Sequence, residues 1–497
     1  MFKYHLYKVL KICHLISKKK YQTLTAKYTK EYKIIARSGL FDAKWYFQQN
    51  PDLDPTQVDP IEHYLKYGWQ ENRKCIPDFD AEEYLKFRPE LTKLGMNPLI
   101  HMICAKQKQK SSLLGPVLLW AANCSWFKRD TIVMCDCVFE PKAMPLDNFT
   151  FFKYLISTKN NDLKTYYILN KKNESYPQIK KEYKEHIIGF TSRYNPVFCL
   201  RIFFLTFKMR YVLDAFDVSK KIWRDAVLKS KYIDSIFTQH GITFFKPGFI
   251  RPYVYGQENF KKVTVSNDIE KEIFEQRGDF KPENIIKSGL FRWDLIHDTS
   301  NEQEEKYIFI YFTHRFYLQK EEHPEDSVYF RNICKLLEDR DLQEFMQQHH
   351  TKFTIALHHT LLKYVDVNKM PNINFLKEDE IGEMKNKASM LITDYSSMCF
   401  EFLLPGKPVI FYRLDEEEFK NSELDCRYSP NIEESDKLLF NVVRTQKEVS
   451  DMCCKYILSE FKLDEASQQK ADKFFYYKSD ICKRFLSYLK EHWENIE

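Results

Sequence analysis

The sequence predicts an α/β protein: two Rossmann-like domains facing a cleft, preceded by a small all-α repeat module. Three observations carry that prediction. From about residue 126, short apolar runs alternate with helical stretches in two successive series. Such alternation makes a largely parallel sheet in each series. Upstream, residues 41–104 repeat one pattern at a fixed spacing of 38 residues, which means one supersecondary unit used twice. Residues 388–415 read as strand, polar turn, short helix and strand, a unit suited to hold a ligand at the carboxyl end of a strand.

The chain of 497 residues has room for two or three domains, and 44% hydrophobic and 16% aromatic content supplies large cores. The net charge of +6 is unevenly spread: residues 1–37 hold ten Lys/Arg against one acid, Glu31. Phe2, Leu6, Val9, Cys13 and Ile16 fall at helical spacing, with Lys3, Lys8, Lys11 and Lys18–Lys20 filling other positions. A basic amphipathic segment of this kind, taken as residues 1–37, can lie on an anionic membrane surface. The same pattern also describes a solvated helix packed on the body of the protein. No run reaches 18 apolar residues, and the best stretch, Leu113–Cys124, holds Pro116. No small-residue cleavage site marks a secretory signal. The 13 cysteines are odd in number and lack any Cys-x-x-Cys, so buried free thiols in a reducing compartment are expected. The expected location is cytoplasmic, peripheral at the inner face of the membrane, with no nucleic-acid partner.

The helical module is placed at residues 38–110. Phe41-Asp42, Tyr46, Pro51-Asp52-Leu53, Pro60-Ile61 and His63-Tyr64 recur as Phe79-Asp80, Tyr84, Pro89-Glu90-Leu91, Pro98-Leu99 and His101-Met102. Asp59-Pro60 and Asn97-Pro98 put Pro just inside the second helix of each copy. His63 and His101 fill the same place in their copies, which reads as structural before it reads as a metal pair.

The first α/β domain is placed at 126–300 and the second at 301–497, with the charged helical residues after about 432 closing the second. Candidate strands of the first series are Thr131–Phe139, Thr165–Leu169, His186–Ile188, Tyr211–Leu213, Ser235–Thr238, Val263–Val265 and Ile285–Lys287. Those of the second are Tyr307–Phe312, Lys352–Leu357, Asn372–Phe375, Met390–Thr393 and Pro408–Tyr412.

Several strand ends carry chemistry. Ser235–Thr238 runs into Gln239-His240-Gly241, and a His there can reach a hydroxyl as a general base. Val265-Ser266-Asn267 reads as a helix cap or a ligand contact. Arg292 can pair with phosphate, or with Asp294 to fix its own loop. Thr313 and Arg315 follow a strand, and an Arg can clamp phosphate oxygens bidentately. His358 and His359 end another strand; neighbouring strand residues point to opposite faces, and no carboxylate cluster accompanies them, so no metal site is expected. After Met390–Thr393, the turn Asp394-Tyr395-Ser396-Ser397 offers two hydroxyls and backbone N–H groups at the start of Met398–Leu404, where an anion is favoured. The same residues equally describe an ordinary capped helix. Glu401 can accept from a ribose diol or fix a loop, and Asp394 orients its loop.

The string Thr393-Asp394-Tyr395-Ser396-Ser397, followed by Glu401 and by Lys407-Pro408-Val409-Ile410-Phe411-Tyr412, resembles the signature of the CDP-glycerol glycerophosphotransferase family. That family includes teichoic acid polymerases and primases. Gly289-Leu290-Phe291-Arg292-Trp293-Asp294 is similar to its Gly-x-Pro-Arg-x-Asp, with Phe291 at the Pro. Tyr311-Phe312-Thr313-His314-Arg315 resembles its Tyr-x-Pro-Thr-x-Arg. The resemblance implies a GT-B arrangement and a CDP-activated polyol as donor, with no cofactor. It implies a glycan or polyol-phosphate polymer as acceptor, His240 as catalytic base, and His358, with His359 as its rival, at the donor pyrophosphate. A nucleotide-sugar glycosyltransferase of like architecture is the alternative enzyme, and a membrane scaffold the alternative of another class.

Overall fold

The computed structural model describes residues 29–76, 79, 81, 84–85, 97–103, 114–136, 147–158, 162–192, 195–216, 222–223, 225–250, 255–313, 315, 317–320, 323–357, 365, 370, 372–377, 380–422 and 432–494. It divides into two compact units, Met1–Gly115 and Pro116–Glu497. The basic amphipathic pattern of residues 1–28 lies outside the described residues.

In the first unit, helices Lys30–Ser38, Ala43–Gln49 and Pro60–His63 start at side-chain caps: Thr29, Asp42 and Asp59. Their oxygens accept the N–H groups that the first helical turn leaves unpaired. The 38-residue period has a physical counterpart. Tyr46 Oη lies 3.0 Å from His63 Nδ1, and Tyr84 Oη lies 2.8 Å from His101 Nδ1. Each copy thus holds a Tyr–His hydrogen bond at the same place, with Tyr46, Tyr64, Leu99 and Ile103 in one small core.

The second unit contains two parallel sheets. In the first, β1 (Thr131–Cys135), β2 (Lys164–Asn170), β3 (Ile187–Phe190), β4 (Met209–Asp214), β5 (Asp234–Phe237), β6 (Lys262–Val265) and β7 (Ile285–Lys287) lie in the order β3-β2-β1-β4-β5-β6-β7. In the second, β8 (Lys306–Tyr311), β9 (Thr351–Ala356), β10 (Ile373–Phe375), β11 (Met390–Thr393), β12 (Val409–Tyr412) and β13 (Val442–Val443) lie in the order β10-β9-β8-β11-β12-β13. Every strand pair is parallel. Each order winds outward in both directions from its first strand, the doubly wound Rossmann pattern. The near-continuous burial of β1, β4, β11 and β12 is what sheets covered on both faces require.

Twelve of these strands fall on the predicted runs, and β13, two residues long, had not been foreseen. Residues 137–139 of the first predicted strand lie outside the described residues.

Of the residues expected to close the second domain, helix Gln446–Leu458 does so, with Val449, Cys453 and Tyr456 in the core of the second sheet, but the last helix does not. Helix Ile481–Glu494 turns back to the first sheet. Tyr211 Oη donates to the Leu489 carbonyl at 2.9 Å, and Arg210 Nη2 to the His492 carbonyl at 3.3 Å. Asp294 accepts from the Ile481 and Cys482 N–H groups, both at 2.8 Å, and so starts that helix. Phe485 packs on Phe151 and Phe291. One hydrophobic cluster, with Phe151, Phe291, Phe400, Leu403, Phe474 and Phe485, runs from the first sheet to the second. Among the described residues, no helix is long and apolar enough to cross a membrane.

Candidate active site

A doubly wound sheet binds ligands beyond the carboxyl ends of its strands, where the order reverses. In the first sheet that point lies between β1 and β4, and in the second between β8 and β11. Thr313 and Asp394 follow β8 and β11 at the second of these points, and His240 follows β5, next to β4, in the first sheet.

His240 follows β5. Gln239, just before it, has φ of 61°, a left-handed conformation uncommon for a side-chain-bearing residue. Its side chain makes up for that strain by donating to the Thr264 carbonyl at 2.7 Å and accepting from Thr243 Oγ1 at 2.6 Å. The His240 ring stacks on Phe216, with centroids 4.2 Å apart and planes 9° from parallel. Nδ1 lies 2.9 Å from the Ala215 carbonyl oxygen. A carbonyl only accepts, so Nδ1 carries the hydrogen and Nε2 keeps its lone pair. The residue is open to solvent on one side, with Phe216 and Tyr255 against its ring. Desolvation of the ring by these neighbours, with the charges of Arg292 and Lys246, holds its pKa below the ordinary imidazole value. The ring is therefore neutral at pH 7, with a free lone pair.

Beyond His240 the chain enters the territory of the second sheet. Phe244 and Phe245 pack edge-on or tilted against Phe400, at 5.9 and 6.2 Å, and Phe245 also meets Phe411. Between His240 and these anchors, Gly241 faces Ser397: a Cβ at Gly241 would come within 3.2 Å of Ser397 Oγ. The His240 loop of the first domain thus touches the Ser396-Ser397 turn of the second.

That turn begins at Asp394, wholly buried, which accepts from Thr313 N at 2.9 and 3.1 Å and from Thr313 Oγ1 at 2.9 Å. Ser396 Oγ accepts from Met398 N at 3.2 Å. The helix after it, Cys399–Leu403, is only 5 residues long and has no side-chain cap at Met398. Ser397 Oγ has no hydrogen-bond partner among the described residues and stands open to a ligand.

Two of the expected phosphate ligands are otherwise engaged. Arg315 is wholly buried; its Nε and Nη2 bind Asp415 at 2.7 Å each, and its Nη1 binds Asp394 at 2.7 Å and Thr313 Oγ1 at 2.6 Å. Its guanidinium lies 4.6 Å from the centroid of Tyr329 and 5.0 Å from that of Phe419. It braces the Thr313 and Asp394 loops and presents no face to a phosphate. Arg292 pairs neither with phosphate nor with Asp294. It forms ion pairs with Asp147 and, at 2.7 Å, with Glu401, and its Nη1 donates to the His240 carbonyl at 3.2 Å. The other Glu401 oxygen takes Lys385. Glu401 is therefore a tie between the two domains, not a ribose ligand. Burial pushes its pKa up, but Arg292 and Lys385 pull harder and bring it to about 2. Ser266 and Asn267 act as caps: Asn267 Oδ1 accepts from Glu270 N at 2.9 Å, and Ser266 bonds the buried Glu270 carboxylate.

A buried acid pair lies under this site and had not been foreseen. Asp136 accepts from Tyr167 Oη at 2.8 Å and from the Asn148 and Phe149 N–H groups. Burial, then repulsion from Asp147, raises its pKa to about 6. Asp147 and Arg292 stand 145 residues apart, and no local pattern links them. His358, His359 and His314 lie outside the described residues. Among the described residues, no group of three or more His, Cys, Asp or Glu side chains is placed to hold a metal ion.

Known proteins resemble this chain in sequence and in fold. The sequence profile of the CDP-Glycerol:Poly(glycerophosphate) glycerophosphotransferase family matches residues 121–481. The minor teichoic acid biosynthesis protein GgaB of Bacillus subtilis (strain 168) is 27% identical over 345 residues, 66% of this chain and 36% of that protein. A teichoic acid poly(glycerol phosphate) polymerase of the same organism is 23% identical over 237 residues, 46% of this chain and 31% of that protein. The chain thus spans about a third of the length of these relatives. Two solved structures of the wall teichoic acid polymerase TagF superpose with TM-scores of 0.54 and 0.53 at 13% identity. They cover 84% and 83% of this chain and 100% and 99% of theirs. At that identity the likeness speaks for the fold, two Rossmann-like domains of GT-B type.

Proposed function

The chain belongs to the CDP-glycerol:poly(glycerophosphate) glycerophosphotransferase family, and from that premise we propose that it moves glycerol phosphate, or a related polyol phosphate, from a CDP-activated donor to a hydroxyl of a cell-envelope polymer. The acceptor oxygen attacks the phosphorus that bears the polyol. A new P–O ester forms, the pyrophosphate P–O bond breaks, CMP leaves, and His240 Nε2 takes the acceptor proton. The enzyme's part is positioning and charge stabilisation more than covalent chemistry.

The observation that carries this reading is the meeting of His240-Gly241 with Ser397 across the two sheets. It brings the loop that carries His240, whose ring keeps a free lone pair on Nε2, against the turn that carries the unpaired Ser397 hydroxyl, and this supports the reading. Ser397, Ser396 and the N–H groups of their turn are the proposed donor-phosphate contacts, joined by His358 or His359 on the strength of the sequence. Arg315, Thr313, Asp394, Arg292 and Glu401 hold these loops in place. Attachment to an anionic membrane through residues 1–37 remains part of the reading, motivated by their excess of positive charge.

A donor screen tests it. The purified chain, given a polyol-phosphate acceptor, should release CMP from CDP-glycerol or CDP-ribitol and leave UDP- and GDP-sugars untouched. Turnover of a nucleotide sugar with none of either CDP-polyol would make it a glycosyltransferase instead.

A further inference from the structure

A groove of about 530 Å³ lies at the open edge of the first sheet, apart from the residues of the candidate active site. Strand β7 forms one wall, and helix Ile481–Glu494 with the residues just before it forms the other. Ser288 N donates to the Val265 carbonyl of the neighbouring strand at 2.9 Å. Lys287, one residue back, therefore turns its own N–H and carbonyl away from β6, towards the open edge. On the helix, Arg484, Tyr488 and Glu491 follow one another at four- and three-residue steps, so one face of the helix looks onto the groove.

Three cations line this concavity, Lys287, Lys483 and Arg484, and all three are exposed. None of them forms an ion pair with a described carboxylate. Aromatic rings steady two of them: Lys287 Nζ stands 4.5 Å from the centroid of Tyr476, and the Arg484 guanidinium 4.6 Å from that of Tyr477. A cation resting on a ring face keeps N–H groups for a further partner. One unpaired surface cation is ordinary, whereas three converging on one groove with aromatic walls favour an anion there.

The acids identify which anion. Along this wall Asp480 comes before Lys483 and Arg484, and Glu491 comes after them. A compact anion such as a nucleoside diphosphate would meet the repulsion of both carboxylates. A chain that alternates hydroxyls with phosphates answers the order of side chains. A carboxylate accepts from a hydroxyl, the cations bind phosphate oxygens, and the faces of Tyr477 and Tyr488 cover the carbon skeleton.

We propose that this groove is a second binding site for the acceptor polymer, holding a stretch of polyol-phosphate chain away from the end that reacts. The proposal rests on the transferase reading for the identity of that polymer. The segment that follows β7 joins groove and active site: its Arg292 donates to the His240 carbonyl, and its Asp294 caps the helix that lines the groove. Holding part of a long acceptor here raises the effective concentration of its free end at the active site.

The test uses the full chain and a glycerol-phosphate oligomer of several units, titrated without donor. Lys483→Glu/Arg484→Glu should weaken oligomer binding by about 10-fold, through loss of two phosphate contacts and the repulsion that replaces them. In the transfer assay KM for the oligomer should rise by a similar factor. The kcat, the KM for CDP-glycerol and the rate with free glycerol as acceptor should stay at wild type. Both side chains touch solvent, so the melting temperature should hold. Unphosphorylated polyglycerol should bind far more weakly than the oligomer. Unchanged oligomer binding in the double variant would overturn the proposal, as would equal binding of polyglycerol by the wild type. So would loss of a dimer with no change in oligomer binding, since the groove would then face a second copy. If the double variant does not fold, Lys287→Glu takes its place, and its unchanged binding would overturn the proposal too. Oligomer binding through the groove in a chain that releases no CMP from any CDP-polyol would refute the transferase reading alone.

Discussion

At His240 one hydrogen bond and the surrounding charges set the protonation state of the ring. The Ala215 carbonyl fixes the proton on Nδ1, and desolvation with the charges of Arg292 and Lys246 keeps Nε2 unprotonated. A lowered pKa means the base form survives to more acidic pH than a free imidazole allows. The acid limb of kcat/KM should therefore fall below pH 6.5, with a plateau at neutral pH. Arg292→Gln removes a nearby positive charge and the bond to the His240 carbonyl, so it should move that limb to higher pH and lower kcat. A limb unmoved in the variant would mean that Arg292 acts only on the fold. Glu401 gives a stability test at the same scale. Its folded value of about 2 lies below the ordinary 4.5. Its contribution, roughly 3 kcal/mol by linkage, is fully present above pH 4.5 and is lost as pH falls towards 2. Glu401→Gln should lower the unfolding free energy at pH 7 by about that amount in urea titrations; a loss under 1 kcal/mol would contradict the buried tie.

Among elements, the loop from Gln239 to Phe245 joins the two halves. Gly241 suits this close approach, because Ser397 Oγ would stand 3.2 Å from any Cβ placed there and would have to shift by a few tenths of an ångström. Gly241→Ala should lower the melting temperature, and adding Ser397→Ala should restore part of it, since the two contacts are coupled. Additive losses would mean that the loops do not touch. Asp294→Ala removes the cap of helix Ile481–Glu494 and should cost about 1 kcal/mol of stability. The strands were legible because β-branched and aromatic runs bounded by turns give a local signal, as in Met390–Thr393 and Ile285–Lys287. Where helix Ile481–Glu494 docks was not legible: its apolar stripe records that it packs, not on which sheet. The same limit hid β13, whose two residues give no period.

For the whole molecule, the two-domain plan was readable because each strand series carries its own core-forming pattern. The site was readable only in part. His240 and Ser397 stand out by position, in the turns that follow β5 and β11. The roles of Arg315 and Arg292 were not, because Asp415 lies 100 residues from Arg315 and Glu401 lies 109 from Arg292. An Arg beside a glycine-rich or hydroxyl-bearing loop looks the same in sequence whether it meets a ligand or a buried carboxylate. The proposed base follows a strand of one sheet and the proposed donor contacts follow a strand of the other, so catalysis and donor binding should separate. Calorimetric titration of CDP-glycerol into folded His240→Ala, beside initial rates of CMP release, measures this directly. The expected result is donor affinity within a few-fold of wild type and a rate lower by about 10²–10⁴-fold. Loss of donor binding, or a rate within a few-fold of wild type, would contradict the assignment of His240 as the base.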